Sequence, residues 1–211
     1  MFADRSDAAE QLAERVVQLK ECKNLIVLGI PRGGLPIAAA IARTLQAPLG
    51  VMLVKKIGAP YNEELAIGAA TPAAFFLNNQ SHIDPIYVKK RVKEVQELLK
   101  KRARLYHQIS AAPSLANKTV LLVDDGVATG HTMHAAIVDV KQQHPSKIVV
   151  ATPVISPEAK SWLQKENVEV ISIITPANLS AIGTYYQHFE QVSDEEAVAI
   201  VRSFKKEEPA T

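Results

Sequence analysis

Five short aliphatic runs, at residues 25–30, 49–54, 119–123, 148–155 and 168–174, constrain this chain more than any other feature. They read as strands with both faces covered, because such strands lack the apolar-polar alternation of a half-wet sheet. Segments with helical spacing lie between most of them, at 35–45, 132–143 and 157–166. That alternation predicts an α/β fold, an open and mainly parallel sheet flanked by helices on both faces. The stretch 69–77 is ambiguous and reads as an extended pair bent at Pro72. No repeat, low-complexity tract or glycine-serine linker divides the 211 residues, so one domain is predicted for 1–211, with a core at about 25–155 and a variable cap from about 1–24 and 156–211.

Charge excludes some partners and leaves others open. Lysine and arginine total 24 against 22 aspartates and glutamates, a balance that calls for neither nucleic acid nor an anionic membrane. The charged start of the chain, with Asp4, Arg5, Asp7, Glu10, Glu14 and Arg15, does not read as a secretory segment, and no run approaches the roughly 20 apolar residues of a membrane span. The single cysteine, Cys22, rules out an internal disulfide and suits a reducing, cytoplasmic setting. One local excess stands out. Val88, Val92, Val95, Leu99, Tyr106 and Ile109 mark the apolar stripe of a long helix, while Lys89, Lys90, Arg91, Lys93, Lys100, Lys101, Arg102 and Arg104 occupy its other face. Without interleaved aromatic residues for base stacking, that face reads as solvated or as flanking a dimer. Ser193 and Glu196 have capping-box spacing, which predicts a last helix from 194 to about 204 and a frayed tail from 205.

The chemistry concentrates in VDDGVATGHT, residues 123–132. The stretch runs from the carboxyl end of a buried strand into a helix, the place where ligands bind in open α/β sheets. Backbone N–H groups of Ala128, Thr129, Gly130, His131 and Thr132, the two threonine hydroxyls and the positive end of the helix suit a phosphate monoester. Asp124 and Asp125 lie one sugar's length away, able to accept hydrogen bonds from vicinal ribose hydroxyls or to steer a hydrated magnesium ion. Asp-Asp-Gly alone would equally suit acidic turn residues with a helix cap. Neither a GxxxxGK[ST] loop nor a GxGxxG turn is present to compete.

The wider stretch LLVDDGVATGHTM strongly resembles the thirteen-residue phosphoribosyl pyrophosphate (PRPP) signature of the type I phosphoribosyltransferases. Two further stretches follow that family's order. GIPRGGLPIAAAIA, residues 29–42, is similar to its pyrophosphate loop, with Arg32, Gly33 and Gly34 at the matching positions. Glycines admit close backbone approach and Arg32 is a planar, permanent cation. VMLVKKIGAPYNEELAIGA, residues 51–69, resembles a strand ending in basic residues, Lys55 and Lys56, followed by a mobile loop that closes over the diphosphate. The resemblance implies a magnesium-dependent transfer of ribose 5-phosphate from PRPP to a nitrogenous acceptor, with a homodimer as the assembly. It assigns Asp124 and Asp125 to the ribose and, through water, to magnesium; Ala128 to Thr132 to the 5-phosphate; Arg32, Gly33 and Gly34 to pyrophosphate; and Lys55 and Lys56 to its departure.

Departures from the family pattern keep the acceptor open. Hypoxanthine and guanine members place an acid where this chain has Ala128, which favours the adenine or orotate type, whereas PRGGL resembles the xanthine and guanine type. His131 occupies a slot usually held by a small residue or lysine and reads as an exposed histidine at a helix start, with a cationic contact at low pH as the alternative. The family's hood over the acceptor is expected from the start of the chain and residues 175–192, where Tyr185, Tyr186 and Phe189 read as packing residues before stacking ones. Two rival functions share the motifs: a sensor of PRPP or nucleotide on the same fold, with its basic helix on RNA, and a phosphohydrolase using Asp124 and Asp125 as metal ligands.

Overall fold

The computed structural model describes residues 1–77, 83–109 and 113–207. Five strands form one all-parallel sheet in the order β2, β1, β6, β7, β8: β1 (Leu25–Gly29), β2 (Leu49–Val51), β6 (Thr119–Val123), β7 (Lys147–Val154) and β8 (Glu169–Ile174). The helices that cross between them are α2 (Gly34–Leu45), α4 (His131–Lys141) and α5 (Pro157–Gln164). The sheet therefore continues past residue 155, with β8 hydrogen-bonded along β7.

Strand residues alternate between two cores. Ile26, Leu28, Val120, Leu122 and Val150 pack under α4 and α5 through Met133, Ile137, Val140, Ala159 and Leu163. Leu25, Val27, Leu121, Val123, Val149 and Ala151 face the other way, against α2 and against α1 (Arg5–Val16) through Leu12, Val16, Ile37 and Ile41. Burial on both faces is why β1, β6 and β7 are largely apolar, whereas β8, at the sheet edge, is only partly buried and carries Glu169 and Ser172. At roughly 1.5–3 kcal/mol for each fully buried large aliphatic side chain, these two layers supply the main driving force of the fold.

Caps set the helix starts. Asp4 accepts hydrogen bonds from the Ser6 and Asp7 amides at 2.7 and 3.0 Å, starting α1. Ser156 accepts from the Ala159 amide at 3.0 Å and is followed by Pro157, starting α5. At α6 (Asp194–Glu207) the expected capping box is present in both directions: Ser193 N donates to Glu196 Oε2 at 2.7 Å and Glu196 N to Ser193 Oγ at 3.0 Å. Residues 205–207, expected to fray, continue that helix, while 208–211 lie outside the described residues.

A second sheet, antiparallel, holds β3 (Lys55–Ala59), β4 (Asn62–Ala70) and β5 (Phe75–Leu77). The strand expected over 49–54 ends at Val51, and Lys55 and Lys56 open β3 instead of closing β2. The apolar run is unbroken there, so composition does not mark where pairing passes from one sheet to the other. The loop expected after the lysines is likewise a hairpin, and the extended pair expected over 69–77 is the β4–β5 turn, with Thr71 Oγ1 accepting from the Ala74 amide at 2.8 Å. The basic helix is α3 (Pro85–His107), whose buried Val92, Val95, Leu99, Ala103 and Tyr106 pack on this small sheet and on α6. Tyr87 Oη donates to the Gly58 carbonyl at 2.9 Å, tying α3 to β3. Among the described residues no helix is long and apolar enough to cross a membrane.

Candidate functional site

Strand order decides where a ligand can sit. From β1 the chain crosses by α2 to β2 on one side; from β6 it crosses by α4 to β7 on the other, so β1 and β6 flank the topological switch point. The loops leaving their carboxyl ends diverge and open a crevice. A cleft of about 530 Å³ lies there, lined by Ile30 to Gly33, Lys55, Lys56, Asp124 to Gly130 and Thr132. The three motif loops, separated by up to a hundred residues, thus meet around one space.

The loop after β6 is held from behind. Val127 N donates to the Val154 carbonyl at 2.8 Å, Ser156 N donates to the Val127 carbonyl at 3.0 Å, and Ser156 Oγ donates to the Ala128 carbonyl at 2.7 Å. Gly130 then caps α4 with φ at 81°, a left-handed conformation that costs glycine nothing. The first-turn amides of α4 have no intrahelical acceptor and carry the positive end of the helix dipole, so this loop is shaped for an anion.

Two carboxylates stand beside it. Asp124 Oδ1 accepts from the Asp125 amide at 2.9 Å, and Asp125 Oδ2 accepts from Arg5 Nε at 2.9 Å, with Arg5 Nη2 at 2.8 Å. Burial pushes the Asp124 carboxyl well above the ordinary carboxylate range, and the Asp125 charge pushes it the same way. Asp125 is also raised by burial, with Arg5 opposing. Without a ligand the pair is electrostatically unfavourable, which suits it to hydroxyl donors or a divalent cation. Among the described residues no three His, Cys, Asp or Glu side chains converge. Two adjacent carboxylates nonetheless fit magnesium, which keeps much of its water and takes further ligands from substrate phosphates.

Around these acids the rim is cationic. Arg32 follows a cis peptide bond at Pro31, and Lys55 and Lys56 project from the start of β3. Gly33 lies so close to Asp125 that any side chain there would collide with its carboxyl group. Two of the named residues sit off the cleft wall. Gly34 is buried against the β6 carboxyl end, where an added Cβ would lie 2.7 Å from the Val123 carbonyl oxygen, so its part is close packing of α2. His131 turns its ring to Thr129 Oγ1, 2.9 Å away, and edge-on to Trp162, with centroids 5.3 Å apart. It is half-buried, and burial together with Lys56 and His134 lowers its pKa.

Several contributors carry no sequence motif. Arg5 reaches Asp125 from α1, donates Nη1 to the Glu190 carbonyl at 2.7 Å and lies 4.0 Å over the Phe189 ring. Tyr186 Oη donates to the Asp125 carbonyl at 2.7 Å, and its ring packs on Phe2 and Phe189 with centroids 5.3 and 4.8 Å apart. Phe2 pairs with the 183–187 segment by backbone, from Phe2 N to the Tyr185 carbonyl and from Gln187 N to the Phe2 carbonyl, both 2.8 Å. The start of the chain and residues 182–189 thus form one flap above the acids, with Ile182 on the cleft wall. Of the cations on α3, Lys89, Lys90, Lys93, Lys100, Lys101 and Arg104 are exposed, while Arg91 and Arg102 line the cleft. Their spacing of eleven residues, close to three helical turns, is the signal that places both on one side of α3.

The model of the phosphoribosyl transferase domain family matches residues 3–188. A Mycobacterium tuberculosis (strain CDC 1551 / Oshkosh) protein, whose name assigns it provisionally to the phosphoribosyl transferases, is 36% identical over 206 residues, covering 95% of this chain and 46% of that protein. The chain therefore spans about half the length of the curated relatives it matches. A crystal structure of a Thermus thermophilus protein superposes with a TM-score of 0.82 at 39% identity, covering 96% of this chain and 98% of that one. An Aquifex aeolicus protein, at 15% identity and a TM-score of 0.54, covers 85% of this chain and 78% of its own and shares the fold.

Proposed function

Because this chain belongs to the phosphoribosyl transferase domain family, we propose that it transfers ribose 5-phosphate from PRPP to a nitrogenous acceptor, a nucleobase in the simplest case. The bond from carbon 1 to the pyrophosphate oxygen breaks, a bond from the acceptor nitrogen to carbon 1 forms, and the acceptor gives up its N–H proton. The observation that carries this reading is the convergence of three loops on one cleft, with an anion cradle and two acids at one end and cations on the rim.

In this reading each group has a role. The amides of Ala128 to Thr132 and the hydroxyls of Thr129 and Thr132 hold the 5-phosphate. Asp124 and Asp125 accept hydrogen bonds from the ribose hydroxyls, which fixes carbon 1 toward the acceptor. Arg32 and the backbone at Gly33 receive the diphosphate, and Lys55 and Lys56 stabilise the charge it gains on leaving. Asp124 and Asp125 are also the residues that would hold magnesium through water, and the ion would screen the diphosphate charge. The flap of Ile182, Tyr186 and Phe189 stands over the acceptor side. A homodimer and a cytoplasmic setting belong to the same reading.

Calorimetric titration of PRPP into the protein, with and without magnesium, tests it. Saturable binding strengthened by the metal is expected, followed by pyrophosphate release when a panel of purines, pyrimidines and small amines is offered. Absence of binding at millimolar ligand would refute the proposal. Tight binding with no release for any acceptor would favour the sensor reading.

A further inference from the structure

Asp194, the first residue of α6, stands between two arginines of the cleft. Its Oδ2 lies 3.5 Å from Arg102 Nη2 and its Oδ1 4.0 Å from Arg32 Nη1, so each carboxylate oxygen faces a different guanidinium. The two arginines come from distant segments, Arg32 from the loop after β1 and Arg102 from the C-terminal part of α3, yet both line the cleft. The capping box of Ser193 and Glu196 fixes the helix start that carries Asp194. Tyr106 adjoins the same cluster: its pKa is raised first by burial and then by the Asp194 charge, while Arg102 and Arg32 oppose.

One carboxylate bridging two guanidiniums occupies the position of a bound anion. We infer that Arg102 is a pyrophosphate-binding residue, acting with Arg32 as a two-arginine clamp, and that Asp194 is the resident anion that holds both side chains in place until a diphosphate arrives. This inference rests on the phosphoribosyl-transfer reading and adds to it a residue from the basic helix.

The energetics favour the exchange. The side chains of Arg32, Arg102 and Asp194 are 39, 36 and 48% exposed, and at these distances their pairing is of the weak kind found between solvated ions. A diphosphate offers several charged oxygens to planar guanidiniums, which bind such groups in bidentate fashion. A purely structural role, fastening α3 to α6, is already met by the apolar contacts of Leu99, Ala103, Ala197 and Val201 in one cluster.

Inorganic pyrophosphate and ribose 5-phosphate, titrated separately by calorimetry into wild-type protein and into Arg102→Gln, Arg102→Lys and Asp194→Asn, separate the alternatives. The expected result is that Arg102→Gln binds pyrophosphate about tenfold or more weakly, the loss of one charge-assisted hydrogen bond, with ribose 5-phosphate unchanged. Arg102→Lys should recover part of the loss, and Asp194→Asn should bind pyrophosphate more tightly than wild type. Wild-type pyrophosphate affinity in Arg102→Gln, or equal weakening toward both ligands, would overturn the role of Arg102. Unchanged or weaker pyrophosphate binding in Asp194→Asn would overturn the resident-anion part. Wild-type protein that binds ribose 5-phosphate and not pyrophosphate would sink the clamp and leave the phosphate cradle standing, whereas binding of neither would overturn the parent reading itself.

Discussion

Arg5 and Asp125 form an ion pair beside the cleft, and it joins residues 120 positions apart. The guanidinium engages Oδ2, so a ribose hydroxyl would approach the other oxygen of Asp125. Replacing Asp125 by Asn keeps the shape and removes the charge. Two effects on stability oppose each other, since Arg5 loses an ionic partner while Asp124 loses a repulsive neighbour. The effect on a ligand has no such offset. Asp125→Asn should therefore weaken PRPP binding about tenfold or more, while the thermal midpoint moves by no more than about 4 °C. Calorimetry and a melting curve on the same sample check this, and wild-type affinity in the variant would remove Asp125 from the site.

At the scale of elements, Glu166 shows how α4 is held in place. Its Oε1 lies 3.0 Å from His134 Nε2 and its Oε2 accepts from Lys141 Nζ at 2.7 Å, so the segment after α5 grips α4 at two points. His134 in turn stacks on Trp162 with centroids 4.6 Å apart and rings 10° from parallel. The hydrogen bond from Lys141 is the main reason that the Glu166 pKa lies below its ordinary 4.5. A carboxyl lowered on folding stabilises the protein fully above its unfolded pKa and loses that contribution as pH falls through the folded value. Glu166→Gln should thus be less stable than wild type at pH 7 by on the order of 1 kcal/mol, with the gap closing below pH 4.5. Urea denaturation across that range would show it; a gap that stays constant down to full protonation would mean the charge contributes nothing.

For the whole molecule, the cleft is walled by separate parts of the chain: the sheet ends, the β3–β4 hairpin, α3 and the flap of residues 182–189. A ligand that touches all of them binds only the folded chain and raises its stability by mass action. PRPP at a hundredfold excess over its Kd should add about 2.7 kcal/mol, a rise in melting temperature of roughly 5–11 °C for a chain of this size. Differential scanning fluorimetry with PRPP and magnesium reads this directly. A shift that is equally large in a variant lacking both Asp124 and Asp125 would show that the ligand binds elsewhere.

Local pattern determined much of this protein. The parallel sheet was legible because strands covered on both faces are largely apolar, and the capping box at Ser193 because its two hydrogen bonds need only three residues of chain. The order of the three loops was legible through their glycines, acids and threonines. Tertiary structure decided the rest. Nothing near Arg5 in sequence indicates Asp125, and nothing near Asp194 indicates Arg32 and Arg102, because such contacts depend on which helix ends the sheet topology brings together. The change of sheet between Val51 and Lys55 was hidden for a related reason. An apolar residue satisfies either sheet equally well, so only the pairing of distant backbone chooses between them.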